Sequence, residues 1–499
     1  MAAPTTGTAP AAGTIETAGY FCSVACRLAH RVVLAVVVAA ATFAASPGAM
    51  ADTLTEALAA AYRFSPTIQA ERKALEATDE QVPLAKSNYH PRIVVRGDVE
   101  ENGSASRNRL SAGGNTSDRR TTGGYDIQVT STLFRGFRTL NQIRQAEARV
   151  LAGRETLREV EQRVLLEAVT AYMDVVRDRG IVRLRRNDVQ VLSEEVRATT
   201  IRFDAGDATR TDVAQARARR AGAVAALDLA RANLRASEAE YRRVTGQAPG
   251  RLTPPRLPDH LLPKNVTGVI DRAQGEAPPV IRAAFLERAA QHEVDIIRGE
   301  LLPTLDLEAG AGSRFNSSEL NRQFDEASIG ARVTVPLYQG GAVFARVRAA
   351  RRLREQAARQ IEEARLRARA DAVTAWSRYT ASKAQLVSVQ AQVRSNQIAL
   401  AGVRAEERVG QRTLLDVLDA KQELLLSQSD LLTTRRDIVV AAYAVLSSMG
   451  ALTVADIGLG VQQHDPELHY DLVRDKAWGT IVVPNEAYDG YVVDGVVLD

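Results

Sequence analysis

The sequence predicts a mainly α-helical protein with four β-strands per chain, built from a duplicated unit of helix, two strands, long helix and second helix. Three observations lead to this fold class. The two halves of the chain match at a nearly constant offset. Two proline-free segments are each long enough for a helix of about 100 Å. Paired segments with alternating apolar and polar residues precede both of them.

An internal repeat organises the chain. Pro66 recurs as Pro278, 212 positions later. After a loop that is shorter in the second half, the offset becomes 204: segment 133–136 (LFRG) matches segment 337–340 (LYQG), and the match continues without gaps for more than a hundred residues. Such a match indicates a duplicated structural unit.

The chain is expected to divide into five segments: a signal peptide (1–51), a first repeat (52–248), a linker (249–276), a second repeat (277–450) and a C-terminal tail (451–499). Prolines crowd the linker and are absent from the long segments of each repeat. Proline disrupts helix interiors and central strands, so its distribution marks the boundary between the repeats.

The N-terminal segment has the order of a secretion signal. Arg27 and Arg31 precede an apolar run at 32–45, and Ala-Met-Ala at 49–51 offers a cleavage site after small residues. The run is shorter than the about 20 residues that span a bilayer. Cleavage is therefore expected, with a retained N-terminal anchor as the alternative, and the region before the run is unusually long.

Both cysteines, Cys22 and Cys26, lie before that apolar run and would be removed with it. The processed chain would then have no disulfide, no thiol chemistry and no cysteine metal ligand. Cys26 also precedes the apolar run rather than following it, so it is not placed as a lipid-anchor cysteine.

Segments 138–203 and 345–408 are charged, rich in alanine and free of proline, and each predicts one long helix. A second helix follows each of them. In the second repeat this helix carries apolar pairs at intervals of seven: 417/418, 424/425, 431/432, 438/439 and 445/446. The pattern requires a partner helix without specifying which chain supplies it.

Period-two alternation predicts strands at 93–99, 125–133, 303–311 and 329–335, the first two joined by a loop rich in Gly, Ser, Asn and Arg. Membrane barrel strands alternate in this way, apolar toward lipid and polar toward the lumen, as do half-buried strands of soluble proteins. The secretion signal favours the first reading. Four strands are too few for a barrel, because the smallest use about eight, so a closed barrel requires several chains; three would supply twelve strands.

Composition and motifs exclude other classes of function. A net charge of +4 from 64 basic and 60 acidic residues gives little support to nucleic-acid binding. Gly310-x-Gly312 lacks the third glycine and the helix of a dinucleotide site. His464 and His469 are near each other in the tail, but metal binding there is not expected. No nucleophile, base and oxyanion arrangement and no phosphate loop is recognisable, so we expect neither an enzyme nor a cofactor.

Segment 410–420 reads GQRTLLDVLDA. With the signal peptide and the two repeats, its Asp-Val-Leu-Asp-Ala motif makes the chain resemble the TolC-type outer-membrane efflux family over about residues 53–459. The resemblance implies a homotrimer with a twelve-stranded barrel in outer-membrane lipid and a helical coiled-coil tunnel in the periplasm, closed at its tip at rest. It also implies a periplasmic adaptor and an inner-membrane efflux pump or ABC exporter as partners, with drugs or polypeptides as cargo.

Asp416 and Asp419 stand three residues apart on one helical face. The family places its entrance aspartates at these positions, and threefold symmetry would gather six carboxylates in a ring that attracts cations. Two ordinary acids on a solvated helix turn are the alternative.

The resemblance also implies gate contacts. Arg412 matches the gate arginine of the family, and Thr211 and Asp212 match residues of the first-repeat hairpin that hold the tip closed. Glu407 stands where the best-known member has an aromatic residue, so the second gate contact cannot be carried over unchanged.

A periplasmic coiled-coil adaptor or scaffold is the competing hypothesis, because it would also be secreted and rich in heptads. Such proteins usually have one helical hairpin in a lipoyl-like domain, whereas this chain has two repeats with two alternating strands each.

Overall fold

The computed structural model describes residues 53–106, 116–316 and 322–480. The predicted signal peptide, both cysteines and the last residues of the predicted tail lie outside the described residues.

The first half of the described chain contains five α-helices, one short 3₁₀ helix and two long strands. These are α1 (Leu54–Phe64), α2 (Pro66–Asp79), α3 (Gln81–Lys86), a 3₁₀ helix (Ser87–Tyr89), β1 (Arg92–Ser106), β2 (Thr116–Arg135), α4 (Arg138–Asp204) and α5 (Arg210–Thr245).

The second half repeats this order and ends in two short helices. Its elements are α6 (Val266–Glu276), α7 (Pro278–Arg298), a 3₁₀ helix (Gly299–Leu301), β3 (Thr304–Phe315), β4 (Gln323–Thr334), α8 (Ala342–Arg408), α9 (Leu414–Ser448), α10 (Val454–Ile457) and α11 (Leu468–Val473).

The duplication predicted from the sequence is confirmed by the helices. Helices α4 and α8 each contain 67 residues, and they begin and end 204 positions apart. Each is followed by a second helix, of 36 residues in α5 and 35 in α9. Within the described ranges, no helix combines the length and the apolar character needed to cross a membrane.

The four strands form one antiparallel sheet in the order β1-β2-β3-β4. The two repeats meet at its centre, where β2 pairs with β3 and a bulge falls between Thr132 and Phe134. Among the described residues, β1 pairs only with β2 and β4 only with β3. Both outer strands of the sheet therefore have an open edge in the protomer.

The strands are longer than the alternation predicted. Strand β1 continues to Ser106 and β2 begins at Thr116, so much of the expected loop is a paired ladder in which Asn102 lies opposite Arg120. Gly, Ser and Asn have low strand propensity and predict a loop. Backbone hydrogen bonds to a neighbouring strand do not depend on side chains, however, and these extend the hairpin. At the other end of the sheet, Val335 lies one residue beyond β4.

The sheet has one apolar and one polar face. The apolar face carries exposed side chains on both open-edge strands, including Val99 (83 % exposed) and Ile329 (79 %). On the polar face, Thr132 donates a hydrogen bond to Asp306 at 2.6 Å, and an Arg332 nitrogen lies 2.9 Å from a Glu308 oxygen. This is the separation of faces that the period-two pattern predicted.

The main core lies where the short helices pack on the middle of the long ones. Tyr172 is fully buried there; its hydroxyl donates to the Thr253 carbonyl at 2.7 Å and accepts from the Thr253 N–H at 3.1 Å. Tyr172 is therefore a packing residue, and its repeat counterpart Trp376 packs at the edge of the same core. The heptad stripe of α9 also points inward, with Leu418, Leu425, Ile438, Val439, Val445 and Leu446 all buried.

Candidate functional site

Each long helix is joined to the following helix by a short turn, and the two turns have the same structure. Gly206 and Gly410 occupy equivalent places in the two turns, with φ of 88° and 82°, a conformation that glycine adopts without a Cβ penalty. In each turn the following N–H bonds to a carbonyl five residues earlier, at 2.8 and 2.9 Å. This hydrogen bond ends the long helix as in a Schellman motif. We call these two turns and the adjoining helix ends the hairpin tips.

Each second helix starts with a reciprocal cap. The N–H of Thr413 donates to the Asp416 carboxylate at 2.9 Å, and the Asp416 N–H donates to the Thr413 hydroxyl at 3.3 Å. Thr209 and Asp212 make the same pair of bonds in the first hairpin, at 2.9 and 3.2 Å. The repeated Thr-x-x-Asp is therefore a capping box with aspartate in the third helical position.

The caps also control the charge of these two acids. Hydrogen bonds from the Thr413 backbone and then from its hydroxyl lower the pKa of the Asp416 carboxyl below its usual range. The same two donors of Thr209 lower the pKa of Asp212. Both carboxylates are partly exposed and hydrogen-bonded to a threonine, and both are ionised at neutral pH.

Asp419, one turn further along α9, has a charged partner. Its carboxylate forms an ion pair with the guanidinium of Arg219 on α5. Because α5 and α9 belong to different hairpins, this pair joins the two tips.

Glu407 makes a second link between the tips. The Arg202 guanidinium at the end of α4 lies 2.9 Å from the Glu407 carboxylate at the end of α8 and 3.5 Å from Glu195 of its own helix. Glu407, which stands where the best-known family member has an aromatic residue, is thus paired with an arginine of the first hairpin.

Arg412 bonds within its own turn. Its Nε donates to the Glu406 carboxylate at 3.0 Å. Thr211 and Asp212 lie on the other hairpin, and no hydrogen bond from Arg412 to either is present among the described residues of the protomer. The contact expected from the resemblance stays a prediction about the neighbouring subunit.

Just behind the tips the two hairpins share a small apolar cluster of Leu192, Ala223 and Leu418. Two charged residues lie beside it: Asp188, which is buried at 8 % exposure, and Lys421, which is partly buried. Burial raises the pKa of the Asp188 carboxyl and lowers the pKa of the Lys421 amine, and the attraction between the two groups opposes both shifts. The apolar cluster packs α4, α5 and α9 against one another.

Sequence reasoning missed Arg202 and Arg219. Neither forms a local motif with its partner, since the pair of Arg219 with Asp419 spans 200 residues and that of Arg202 with Glu407 spans 205. The capping role of Asp416 did have a signal, because Thr-x-x-Asp follows a glycine turn in both repeats.

The other sequence candidates, the glycines of β3 and a histidine of the tail, make contacts that stabilise the fold. Gly310 and Gly312 lie inside β3, paired with neighbours on both sides. His469 packs against α2, with Nδ1 3.1 Å from the Asp79 carboxylate. In the part of the chain that the structure describes, no group of three His, Cys, Asp or Glu side chains is placed to hold a metal ion.

An amphipathic sheet with two open edges, continued by two helices about 100 Å long that each fold back into a shorter helix at a charged tip, defines an outer-membrane channel protein. The outer membrane efflux protein family matches residues 57–247 and 269–451. The chain belongs to this family, whose members are channels rather than enzymes, and it is an efflux channel of the outer membrane. The competing hypothesis of a periplasmic adaptor is therefore wrong.

Individual relatives agree over most of the chain. Outer membrane efflux protein BepC of Brucella suis biovar 1 (strain 1330) is 38 % identical over 86 % of this chain and 92 % of its own length. Outer membrane protein TolC of Escherichia coli (strain K12) is 23 % identical over 82 % and 84 %. Among solved structures, CusC superposes with a TM-score of 0.68 at 16 % identity, covering 79 % of this chain and 91 % of CusC. At this identity, the similarity to CusC shows the fold alone.

Proposed function

We propose that the protein is a gated homotrimeric duct that expels drugs or secretes polypeptides together with a periplasmic adaptor and an inner-membrane transporter. The observation that carries this proposal is the four-stranded sheet, which has an exposed apolar face and two open edges. The hairpin tips at the other end of the long helices supply the gate and the entrance to the duct.

The open edges argue for a closed ring of chains. An unpaired row of backbone N–H and C=O groups is strongly unfavourable in lipid, because no water is present to satisfy it. Pairing β1 of one protomer with β4 of the next removes every edge. Three protomers make a twelve-stranded barrel, above the about eight strands of the smallest single-chain barrels.

The long helices offer a matching surface. Helix α8 exposes five apolar side chains that lie within about 60° of one another at 100° per residue. They are Phe344, Leu366, Val373, Val387 and Ile398. An apolar stripe of this kind on a charged helix is the surface that a neighbouring helix covers in a coiled coil. It supports a tunnel in which α8 contacts the next subunit.

Cross-linking of isolated outer membranes should give a ladder that ends at three chains, because only a closed ring satisfies both sheet edges. The measurement is gel electrophoresis of glutaraldehyde-treated membranes, with heat-denatured protein at equal concentration as the control. Recovery of a stable monomer or dimer, or of the protein in the soluble periplasmic fraction, would rule out the barrel.

The gate is proposed at the hairpin tips. In the closed trimer, Arg412 engages the region of Thr211 and Asp212 on the hairpin of a neighbouring subunit, and the ion pair of Glu407 with Arg202 restrains the tips within each subunit. The support is geometric: Arg412 is exposed at the end of the second hairpin, and Glu407 lies in contact with the first. An adaptor that competes for these groups would let the tips separate.

Replacing Arg412 with serine should raise single-channel conductance and make cells leakier to large antibiotics, without reducing the amount of folded trimer. Exposed ion pairs are worth about 0–1 kcal/mol each, so the open probability should rise by up to about fivefold for each pair released. Planar-bilayer recordings measure the conductance. Arg408→Ser removes an exposed arginine from the end of α8 and serves as the control.

The gate would have to lie elsewhere if the Arg412→Ser variant kept the closed-state conductance of the parent. The double variant with Arg412→Ser and Asp212→Asn would also have to keep it.

A further inference from the structure

We propose that Arg219 sets the charge of the entrance by offsetting Asp419 while the hairpin tips are in contact. This inference rests on the proposed function of Asp416 and Asp419 as entrance acids. It implies that each closed subunit contributes one uncompensated carboxylate to the ring, from Asp416, and that the carboxylate of Asp419 becomes uncompensated when the tips part.

The two acids have different partners. Asp416 accepts hydrogen bonds from the neutral backbone and hydroxyl groups of Thr413, which leave its full negative charge in place. Asp419 is ion-paired with Arg219. The side chains of Arg219 and Asp419 are 40 % and 57 % exposed, so the pair lies at the surface, where a permeating ion would sense its net charge.

The surroundings hold Arg219 toward Asp419. Arg219 borders a cavity of about 340 Å³ between α4, α5 and α9, which is also lined by Arg185, Asp188 and Lys421. Two cations and one acid give this cavity a positive balance, and like charges repel. The guanidinium is therefore favoured at the Asp419 side, where opposite charge is available.

The ion pair of Arg219 with Asp419 also links the charge of the entrance to the opening of the duct. Arg219 lies on the first hairpin and Asp419 on the second, so any motion that separates the tips breaks the pair. The entrance would then have two uncompensated acids per subunit, Asp416 and Asp419, instead of one. Both would face the lumen, and Arg219 would be displaced from Asp419. Cation attraction should increase as the duct opens.

Four variants of the full trimer separate charge from the link between the tips: Arg219→Gln, Asp419→Asn, the two combined, and Arg220→Gln. All of the first three lose the ion pair, so an effect that comes only from the link between the tips should appear in all three. Their net entrance charges differ, however. Arg220 is the matched control, because it is the next residue on α5 and bonds to the Ser193 hydroxyl at 2.9 Å instead of to an entrance acid.

Potassium over chloride permeability in planar bilayers should follow these charges. Arg219→Gln should raise the ratio at least about threefold, since three unit charges are uncovered within a Debye length of about 8 Å. The double variant should return close to the parent ratio, Asp419→Asn should fall below it, and Arg220→Gln should match the parent. Arg219→Lys, which keeps the charge, should also match the parent.

Asp416→Asn distinguishes this inference from the function on which it rests. If Asp416→Asn lowers the ratio while Arg219→Gln behaves like Arg220→Gln, the entrance is correctly placed and the role of Arg219 is wrong. If Asp416→Asn and all the other variants leave ion preference unchanged, the entrance itself is misplaced and both proposals fall.

Discussion

Replacing Asp416 and Asp419 together with asparagine should abolish the cation preference of the channel and weaken its block by spermidine at least about tenfold. Asparagine keeps an oxygen that accepts the capping bond from Thr413, so the substitution removes charge with little change to the start of α9. Arg219 would lose its partner, and the net charge of the ring would change from negative to positive.

The expected effect is large because the proposed trimer gathers these charges around one narrow opening. Threefold symmetry multiplies each substitution by three, and a trivalent probe such as spermidine responds to the ring potential three times as strongly as a monovalent ion. Reversal potentials in a salt gradient and titration of the current with spermidine measure the two quantities.

Asp430→Asn is the matched control for this experiment. It removes an exposed acid from the same helix, about 16 Å along α9 from Asp419, which is beyond a Debye length at physiological salt. Its ion preference should equal that of the parent. An unchanged preference in the double Asp416 and Asp419 variant would place both residues away from the constriction.

Replacing Gly136 with alanine should destabilise the assembled protein severely. Gly136 lies where β2 turns into α4, with φ of 59°, and an added Cβ would meet the Gly299 carbonyl oxygen at 2.2 Å. The oxygen belongs to the backbone of the second repeat and has no flexible side chain to rotate away. A cost above about 4 kcal/mol per subunit is expected, since strain and backbone displacement add.

The internal repeat supplies the control for Gly136. Gly340 occupies the equivalent turn with φ of 62°, but no atom of the described part of the protomer lies within 4 Å of an added Cβ. Gly340→Ala should therefore cost only the conformational strain, about 1–2 kcal/mol. Heat resistance of the trimer on gels compares the two variants, and equal resistance would show that the close approach at Gly136 is unimportant.

Local patterns were sufficient to predict the long helices. Arg138 was the predicted start of the first long helix and is its observed start, while the second begins at Ala342, three residues before the predicted position. Charged, alanine-rich sequence without proline determines such elements, because helical hydrogen bonds join residues four apart. The strands were recognised by their alternation, but their ends were not, because ladder bonds come from a neighbouring strand.

The two acids proposed for the entrance, Asp416 and Asp419, were selected through a specific motif, whereas their partners were not predicted. Asp416 could have been predicted as a capping residue from Thr-x-x-Asp in both repeats. No local pattern leads from Asp419 to Arg219, because the two residues belong to different hairpins.

The sequence by itself determined the duplicated architecture, the long helices, the two faces of the sheet and the residues of the hairpin tips. Each of these depends on periodicity or on contacts within a few positions of the chain. Only the tertiary structure decided the sheet order that brings β2 beside β3, the approach of Gly136 to Gly299, and the pairing of Arg202 and Arg219 with acids of the second hairpin. These contacts arise when two distant segments pack together, and their geometry depends on the packed core rather than on either segment alone.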